Sequence, residues 1–271
     1  GGIQLPIKMI VVDLDGTFLN SKRDYDREKF ARQYALLKEK GVHFVAASGN
    51  QLYRMKSIFE DIHDEMAFIA ENGSFVVDQD KEIFAASLPK EDVLTITDEL
   101  LNIPDLSFIL CGKKSAYMLD RDFAFTFGHY NRLERVANYD EVDDQFFKFS
   151  IVCPEEDTQH IYQDLKAKVS HLIEPVISGP TSIDLGIYGV NKATGIMKLE
   201  QHWNIKPDEI MAFGDSRNDL EMLKHVKYSF AMANADDSVK EHVAYLAPSN
   251  DESGVLEVID QFLYKEGIFS S

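Results

Sequence analysis

Short apolar runs alternate with amphipathic stretches over the first third of the chain. Residues 8–13 ("KMIVVD") read as a buried strand. Residues 26–41 ("DREKFARQYALLKEKG") carry apolar positions at helical spacing and stop on Gly41. A second apolar strand is predicted over 42–49, a helix over 51–62 and a third strand over 67–73. Apolar strands separated by amphipathic helices predict a parallel sheet covered on both faces. The pattern then changes. A hairpin is expected over 75–86, and "SFILCG" is expected to pair with "SAYMLD" across Lys113 and Lys114. Further strands follow in "FFKFSIVCP", "HLIEPVISG" and "SIDLGIYG", with helices expected near 90–101, 122–136 and 156–169. From about 191 the strand–helix alternation returns and runs to the end. The expected fold class is α/β: a Rossmann-like parallel-sheet core, residues 1–84 plus 188–271, with an inserted α+β domain at 85–187.

Three of the core strands end on polar residues. "MIVV" stops at Asp13, "HFVAA" at Ser48-Gly49 and "IMAF" at Gly214-Asp215. Open α/β sheets bind ligands outside the carboxyl ends of their strands, so these ends are expected to share one crevice, although any one of them alone reads as an ordinary polar strand terminus. Asp13 and Asp15 lie two apart, and along a strand that spacing turns both side chains the same way. Two carboxylates at the end of a buried strand repel each other and resist desolvation, unless a cation offsets both costs. Asp215 adds a third carboxylate, with Asn218 and Asp219 close behind it. Oxygen ligands without a His or Cys cluster favour Mg²⁺ over Zn²⁺. Lys192 opens a helix, where the dipole mildly disfavours a cation; it is either a solvated lysine or part of the site.

The formal net charge of -18 argues against nucleic acid and anionic membranes as partners. It would also repel an anionic substrate at long range, so such a substrate needs positive charge supplied locally. No apolar run approaches the ~20 residues of a membrane span. The first residues lack the features of a secretory signal. Two cysteines, Cys111 and Cys153, form no metal or redox motif and are expected to be free thiols in a reducing, cytoplasmic setting.

"DLDGT" (13–17), "ASGN" (47–50), "NKATG" (191–195) and "GDSRND" (214–219) occur in this order. They resemble the four motifs of the haloacid dehalogenase-like phosphatases. The insert resembles the cap of the Cof-type subfamily, to which "ENG" (71–73) also fits. The phrases "ASGNQ", "AENG" and "FKFS" are most similar to its bacterial sugar-phosphatase branch. The resemblance implies a Mg²⁺-dependent phosphomonoester hydrolase of small phosphorylated metabolites, sugar phosphates being the expected class. It implies Asp13 as the nucleophile that forms an aspartyl-phosphate, and Asp15 as general acid and then general base. It implies that the Leu14 N–H, Ser48, Gly49 and Asn218 hold the phosphate and that Lys192 neutralises charge. The metal would sit on the Asp13 and Asp215 carboxylates and the Asp15 carbonyl, with Thr17 and Asp219 in support. Many relatives carry Arg where this chain has Asn50. Asn50, Asn72, Asp184 and Tyr188 are candidate substrate contacts, Asp184 and Tyr188 reading equally as solvated positions near the return to the core. His129, Tyr130, Asn131 and Arg132, on a predicted helix, read either as sugar recognition or as a solvated face. His43 and His160 read as structural or exposed. Two alternatives stand beside hydrolysis: a mutase that passes the phosphoryl group to a second sugar hydroxyl, and a non-catalytic metabolite-binding protein. The oligomeric state stays open.

Overall fold

The computed structural model describes residues 6–122 and 130–270. Along the chain run β1 (Met9–Asp13), α1 (Arg27–Glu39), β2 (His43–Ala47), α2 (Leu52–Ile58), β3 (Ala67–Ala70), β4 (Phe75–Asp78) and β5 (Lys81–Ala85). Next come α3 (Lys90–Leu101), β6 (Ser107–Gly112), β7 (Ala116–Leu119), β8 (Leu133–Val136), β9 (Phe146–Val152), α4 (Thr158–Val169), β10 (Glu174–Gly179) and β11 (Ser182–Gly186). The last part holds α5 (Lys192–Trp203), β12 (Ile210–Gly214), α6 (Leu220–His225), β13 (Tyr228–Met232), α7 (Asp237–Lys240), β14 (Tyr245–Ala247) and α8 (Gly254–Tyr264). The chain divides into two units. One comprises the residues up to Gly49, Met55–Phe84 and those from Asn191 on; the other comprises Asn50–Arg54 and Ala85–Val190.

The first unit is built on a sheet of order β14-β13-β12-β1-β2-β3-β4-β5 among the described residues. Pairing is parallel from β14 to β3, and β4 joins β3 antiparallel. β1 and β12 are buried at every position, as strands covered on both faces must be. Alternation sorts their side chains. Met9 and Val11 pack with Ile196 and Leu199 of α5 and Met222 and Leu223 of α6. The Phe44 ring of β2 instead joins Phe18, Phe30 and Phe59, with centroids 4.8–6.2 Å apart. Each fully buried side chain of this size contributes roughly 1.5–3 kcal/mol. The order of pairing reverses beside β1: β2 and β3 lie on one side of it, β12 and β13 on the other. That switch point opens a crevice at the carboxyl ends of β1 and β12.

The second unit carries a sheet of order β10-β11-β9-β6-β7-β8, antiparallel except where β8 runs parallel to β7. Phe108, Leu110, Phe149, Ile151, Ile183 and Leu185 fill one face against Val93 and Ile96 of α3 and Ile161 and Leu165 of α4. The helix predicted over 122–136 is corrected here: Leu133–Val136 is the edge strand β8, with Ala116 opposite Leu133. Leu133 and Val136, three apart, suit a helical stripe as well as a short strand; the open edge of β7 decides between them. Residues 123–129, and with them His129, lie outside the described residues. Arg132 does not ride a helix either. Its guanidinium sits 3.4 Å from the Tyr53 ring centroid, and its N–H donates to Gln51 Oε1 at 3.0 Å. Cys111 and Cys153 are buried, and no disulfide joins them. No helix among the described residues is long and apolar enough to cross a membrane.

Candidate active site

Asp13 shares its side of β1 with Met9 and Val11, the side that packs on α5. Lys192 is the first residue of that helix. A capping box fixes the helix start: Asn191 accepts from the Thr194 N–H, and the Thr194 hydroxyl oxygen accepts from the Asn191 N–H, both at 3.2 Å. From there Lys192 Nζ donates to Asp13 Oδ1 at 2.9 Å and to Asp219 Oδ1 at 2.6 Å. Lys192 is 1% exposed and Asp219 fully buried.

Asp219 also closes the turn after β12. Its Oδ2 accepts from the backbone N–H groups of Asp215 and Ser216, at 3.0 and 3.2 Å. Gly214 must be small here, since a Cβ would stand 2.7 Å from that of Asp219. Asp215 is held in turn: Oδ1 accepts from the Thr17 hydroxyl at 2.8 Å and Oδ2 from the Ser216 hydroxyl at 3.1 Å. Gly16, at φ +78°, passes so close beneath Asp215 that a Cβ would fall 2.2 Å from its Oδ2.

Electrostatics follow from this crowding. Burial pushes the Asp13 carboxyl well above the usual carboxylate range, and the charge of Asp219 pushes it further, against the pull of Lys192. Asp215 is raised as well, by burial first. Burial alone would lower the Lys192 ammonium, but Asp13 and Asp219 outweigh it and hold it up. Lys192 pairs with two of the three carboxyl groups, Asp13 and Asp219, and Asp215 adds a third beside them without an ammonium of its own. Oxygen atoms of Asp13, Asp215 and Asp219 lie within 4.8 Å of one another. An oxygen-only, electron-rich cluster fits a hard divalent cation. Asp219 is committed to the Lys192 ammonium and two backbone N–H groups. Asp215 is held only by the Thr17 and Ser216 hydroxyls and Asp13 by Lys192 on one oxygen, so Asp13 and Asp215 are the carboxylates better placed to hold such an ion.

The other predicted residues fall in several places. β1 ends at Asp13, so strand alternation does not reach Asp15, which is exposed on the following turn. Leu14 is buried; its carbonyl accepts from the Thr17 and Leu19 N–H groups. Ser48 lies buried beyond β2, its N–H on the Ile69 carbonyl and its own carbonyl on the Asn72 N–H, both 2.9 Å. Glu71 and Asn72 adopt left-handed φ values of 52° and 55°. This strained turn sets the Asn72 amide beside Gly49, 3.1 Å from where a Cβ would lie. Asn218 Nδ2 donates to Asn72 Oδ1 at 3.5 Å. Asn50, Asp184 and Tyr188 belong to the second unit. There the Ser150 hydroxyl donates to Asp184 Oδ1 at 3.5 Å, and the Tyr188 hydroxyl donates to the Ser170 carbonyl at 2.5 Å. His43 stacks on Trp203 with centroids 3.7 Å apart, and His160 is exposed.

A family model described as haloacid dehalogenase-like hydrolase matches residues 10–259. The chain belongs to the haloacid dehalogenase-like hydrolases. Among its relatives in this family is the 5-amino-6-(5-phospho-D-ribitylamino)uracil phosphatase YbjI of Escherichia coli (strain K12), 42% identical over 98% of this chain and 99% of the relative. The phosphatase of the same name, YcsE, from Bacillus subtilis (strain 168) is 28% identical over 93% and 94%. A crystal structure from Streptococcus mutans UA159 superposes with a TM-score of 0.87 at 35% identity, covering 96% of this chain and all of that one. The chain is thus a phosphatase-type enzyme of the haloacid dehalogenase-like family.

Two polar residues at this site escaped the sequence reading. Ser216 orients Asp215. Asn234, just past β13, donates to the Gly16 carbonyl at 2.9 Å. The signal for Asn234 was present: "YSFAM" is a fourth apolar strand that runs into polar residues at its carboxyl end.

Proposed function

We propose that this enzyme is a Mg²⁺-dependent phosphomonoester hydrolase acting on small phosphorylated metabolites of the sugar-phosphate class. The observation that carries the reading is the buried arrangement of Asp13, Lys192 and Asp219 beside Asp215. An Asp13 oxygen attacks phosphorus while Lys192 holds the other oxygen and steadies the charge around it. Asp15 gives a proton to the departing alcohol, then takes one from the water that cleaves the aspartyl-phosphate. The Leu14 N–H, Ser48, Gly49 and Asn218 supply contacts for the phosphate oxygens. Asp13, Asp215 and the Asp15 carbonyl would hold Mg²⁺. When bound, that ion neutralises phosphate charge and lets an anionic nucleophile approach an anionic ester. Thr17, Ser216 and Asp219 keep Asp215 in place. The candidate contacts to the rest of the substrate are Asn50, Asn72, Asp184 and Tyr188. The YbjI and YcsE names specify a phosphate on a ribityl chain, a sugar-alcohol phosphate. Those names support the coarser part of the reading, a small phosphorylated metabolite as substrate.

The test is phosphate release from a panel of sugar and sugar-alcohol phosphates and p-nitrophenyl phosphate, with Mg²⁺ and then with EDTA. Turnover is expected with Mg²⁺ and its loss with EDTA. Asp13→Asn is expected to abolish both turnover and acid-stable phosphoryl labelling. Labelling that survives in Asp13→Asn would reject the nucleophile, and metal-independent turnover would reject the cation.

A further inference from the structure

The turn that carries Asp15 is tied down by two loops from the far end of the sequence. Asn234 Nδ2 donates to the Gly16 carbonyl at 2.9 Å, and Asn234 Oδ1 accepts from the Asn250 N–H at 3.0 Å. Asn250 Nδ2 then donates to the Leu19 carbonyl at 3.0 Å. Asp251 extends the tie: its two oxygens accept from the Ser21 N–H at 2.8 Å and the Ser21 hydroxyl at 2.7 Å. Gly16, Asn234, Asn250 and Leu19 therefore close a circuit around the turn. Inside the circuit, the Thr17 and Leu19 N–H groups donate to the Leu14 carbonyl, and Asp15 bridges to Leu19. The Gly16–Thr17 peptide is pinned on both sides, its carbonyl by Asn234 and its N–H by Leu14.

The Asn234 and Asp251 ties are poor candidates for fold stabilisation, while the Asn250 bond to the Leu19 carbonyl is part-buried. Asn234 and Asp251 are exposed, and an exposed hydrogen bond gains little over the one water would make. Orientation is what they supply. Gly16 sits at φ +78°, and a glycine peptide in a turn has conformations to choose from that other residues lack. Asp15 is the residue immediately before that hinge. A carboxyl that must meet a leaving oxygen within hydrogen-bond reach needs its backbone held to a fraction of an ångström.

We propose that Asn234 and Asn250 are positioning residues that hold Asp15 in line with the leaving oxygen. The inference rests on the proposed role of Asp15. As the bond from the Asp13 oxygen to phosphorus forms and the ester P–O bond breaks, the Asp15 proton passes to the ester oxygen. A neutral alcohol leaves, and Asp15 is left as the carboxylate.

Leaving-group dependence separates this from a structural role. p-Nitrophenolate departs with little help from an acid, whereas phenolate and alkoxides need the proton. Asn234→Ala and Asn250→Ala are to be assayed on p-nitrophenyl phosphate, phenyl phosphate and a sugar phosphate, with Asp15→Asn alongside. Each Ala variant is expected to lose about tenfold to a hundredfold in kcat/KM on phenyl and sugar phosphates and little on p-nitrophenyl phosphate. Amide hydrogen exchange in metal-free protein is expected to speed up at residues 16–19, with the melting temperature unchanged in Asn234→Ala. Equal losses on all substrates, or no loss on any, would overturn the inference while Asp15→Asn keeps its leaving-group dependence. If Asp15→Asn itself falls equally on all substrates, the acid role of Asp15 is wrong, and the positioning role falls with it.

Discussion

Lys192 stands between two carboxylates with almost none of its surface exposed, and both of its hydrogen bonds join opposite charges. Burying an ammonium is costly, but removing this one leaves its carboxylates buried without it. Lys192→Met keeps most of the side-chain volume and is expected to destabilise the protein by about 3–5 kcal/mol, read from the urea midpoint at constant slope. Added Mg²⁺ should restore part of that loss, because it neutralises the same carboxylates and binds the folded state. Equal unfolding curves in Mg²⁺ and EDTA would argue against a cation in the cluster. The aspartates were legible in the sequence because strand ends converge by topology. The burial of Lys192 was not legible from its helix position. A helix dipole opposes a cation there by only about 0.3–1 kcal/mol, which two carboxylates at 2.6 and 2.9 Å easily outweigh. The bonds of Asp219 to two backbone N–H groups depend on the shape of the turn at 214–217, which residue types do not reveal.

Helix α5 links the site to the core, and Gly195 lets it lie close to the sheet. A Cβ at Gly195 would stand 2.5 Å from Ile69 Cγ2 and 3.1 Å from Cγ1. Two effects of Gly195→Ala oppose each other. Alanine improves helix propensity by about 1 kcal/mol; overpacking against a fully buried β-branched side chain costs about 1–3 kcal/mol. The second should win. Gly195→Ala is expected to lower the melting temperature and also kcat, because the helix pushed off β3 begins with Lys192. Adding Ile69→Ala makes room for the new methyl, so the two substitutions should be less damaging together than their separate effects sum to. A higher melting temperature with unchanged turnover would mean that α5 accommodates the methyl in place. At this scale the periodicities were informative: every buried parallel strand and the long amphipathic helices could be read directly. β8 was the failure. Its four residues offer no period long enough to separate strand from helix, and its pairing is set by β7, a neighbour more than a dozen residues away.

The whole molecule repels what its site must attract. A formal charge of -18 surrounds a crevice that, on the proposed reading, takes a phosphate dianion. At about 10 mM ionic strength the Debye length is roughly 30 Å, so an approaching anion feels most of the protein's charge. At about 150 mM it is roughly 8 Å, and the anion feels chiefly the groups beside it: Lys192, backbone N–H groups and a bound cation. Screening therefore removes the distant repulsion sooner than the local attraction. For a dianionic sugar phosphate, kcat/KM is expected to rise with added NaCl over this range at fixed free Mg²⁺, mainly through a lower KM. A phosphate monoester that also carries an ammonium group has less net charge to repel, and its kcat/KM should change less. If kcat/KM for the dianion instead falls steadily with salt, attraction at the crevice governs approach even at low ionic strength. The surplus acidity would then serve solubility without hindering the reaction.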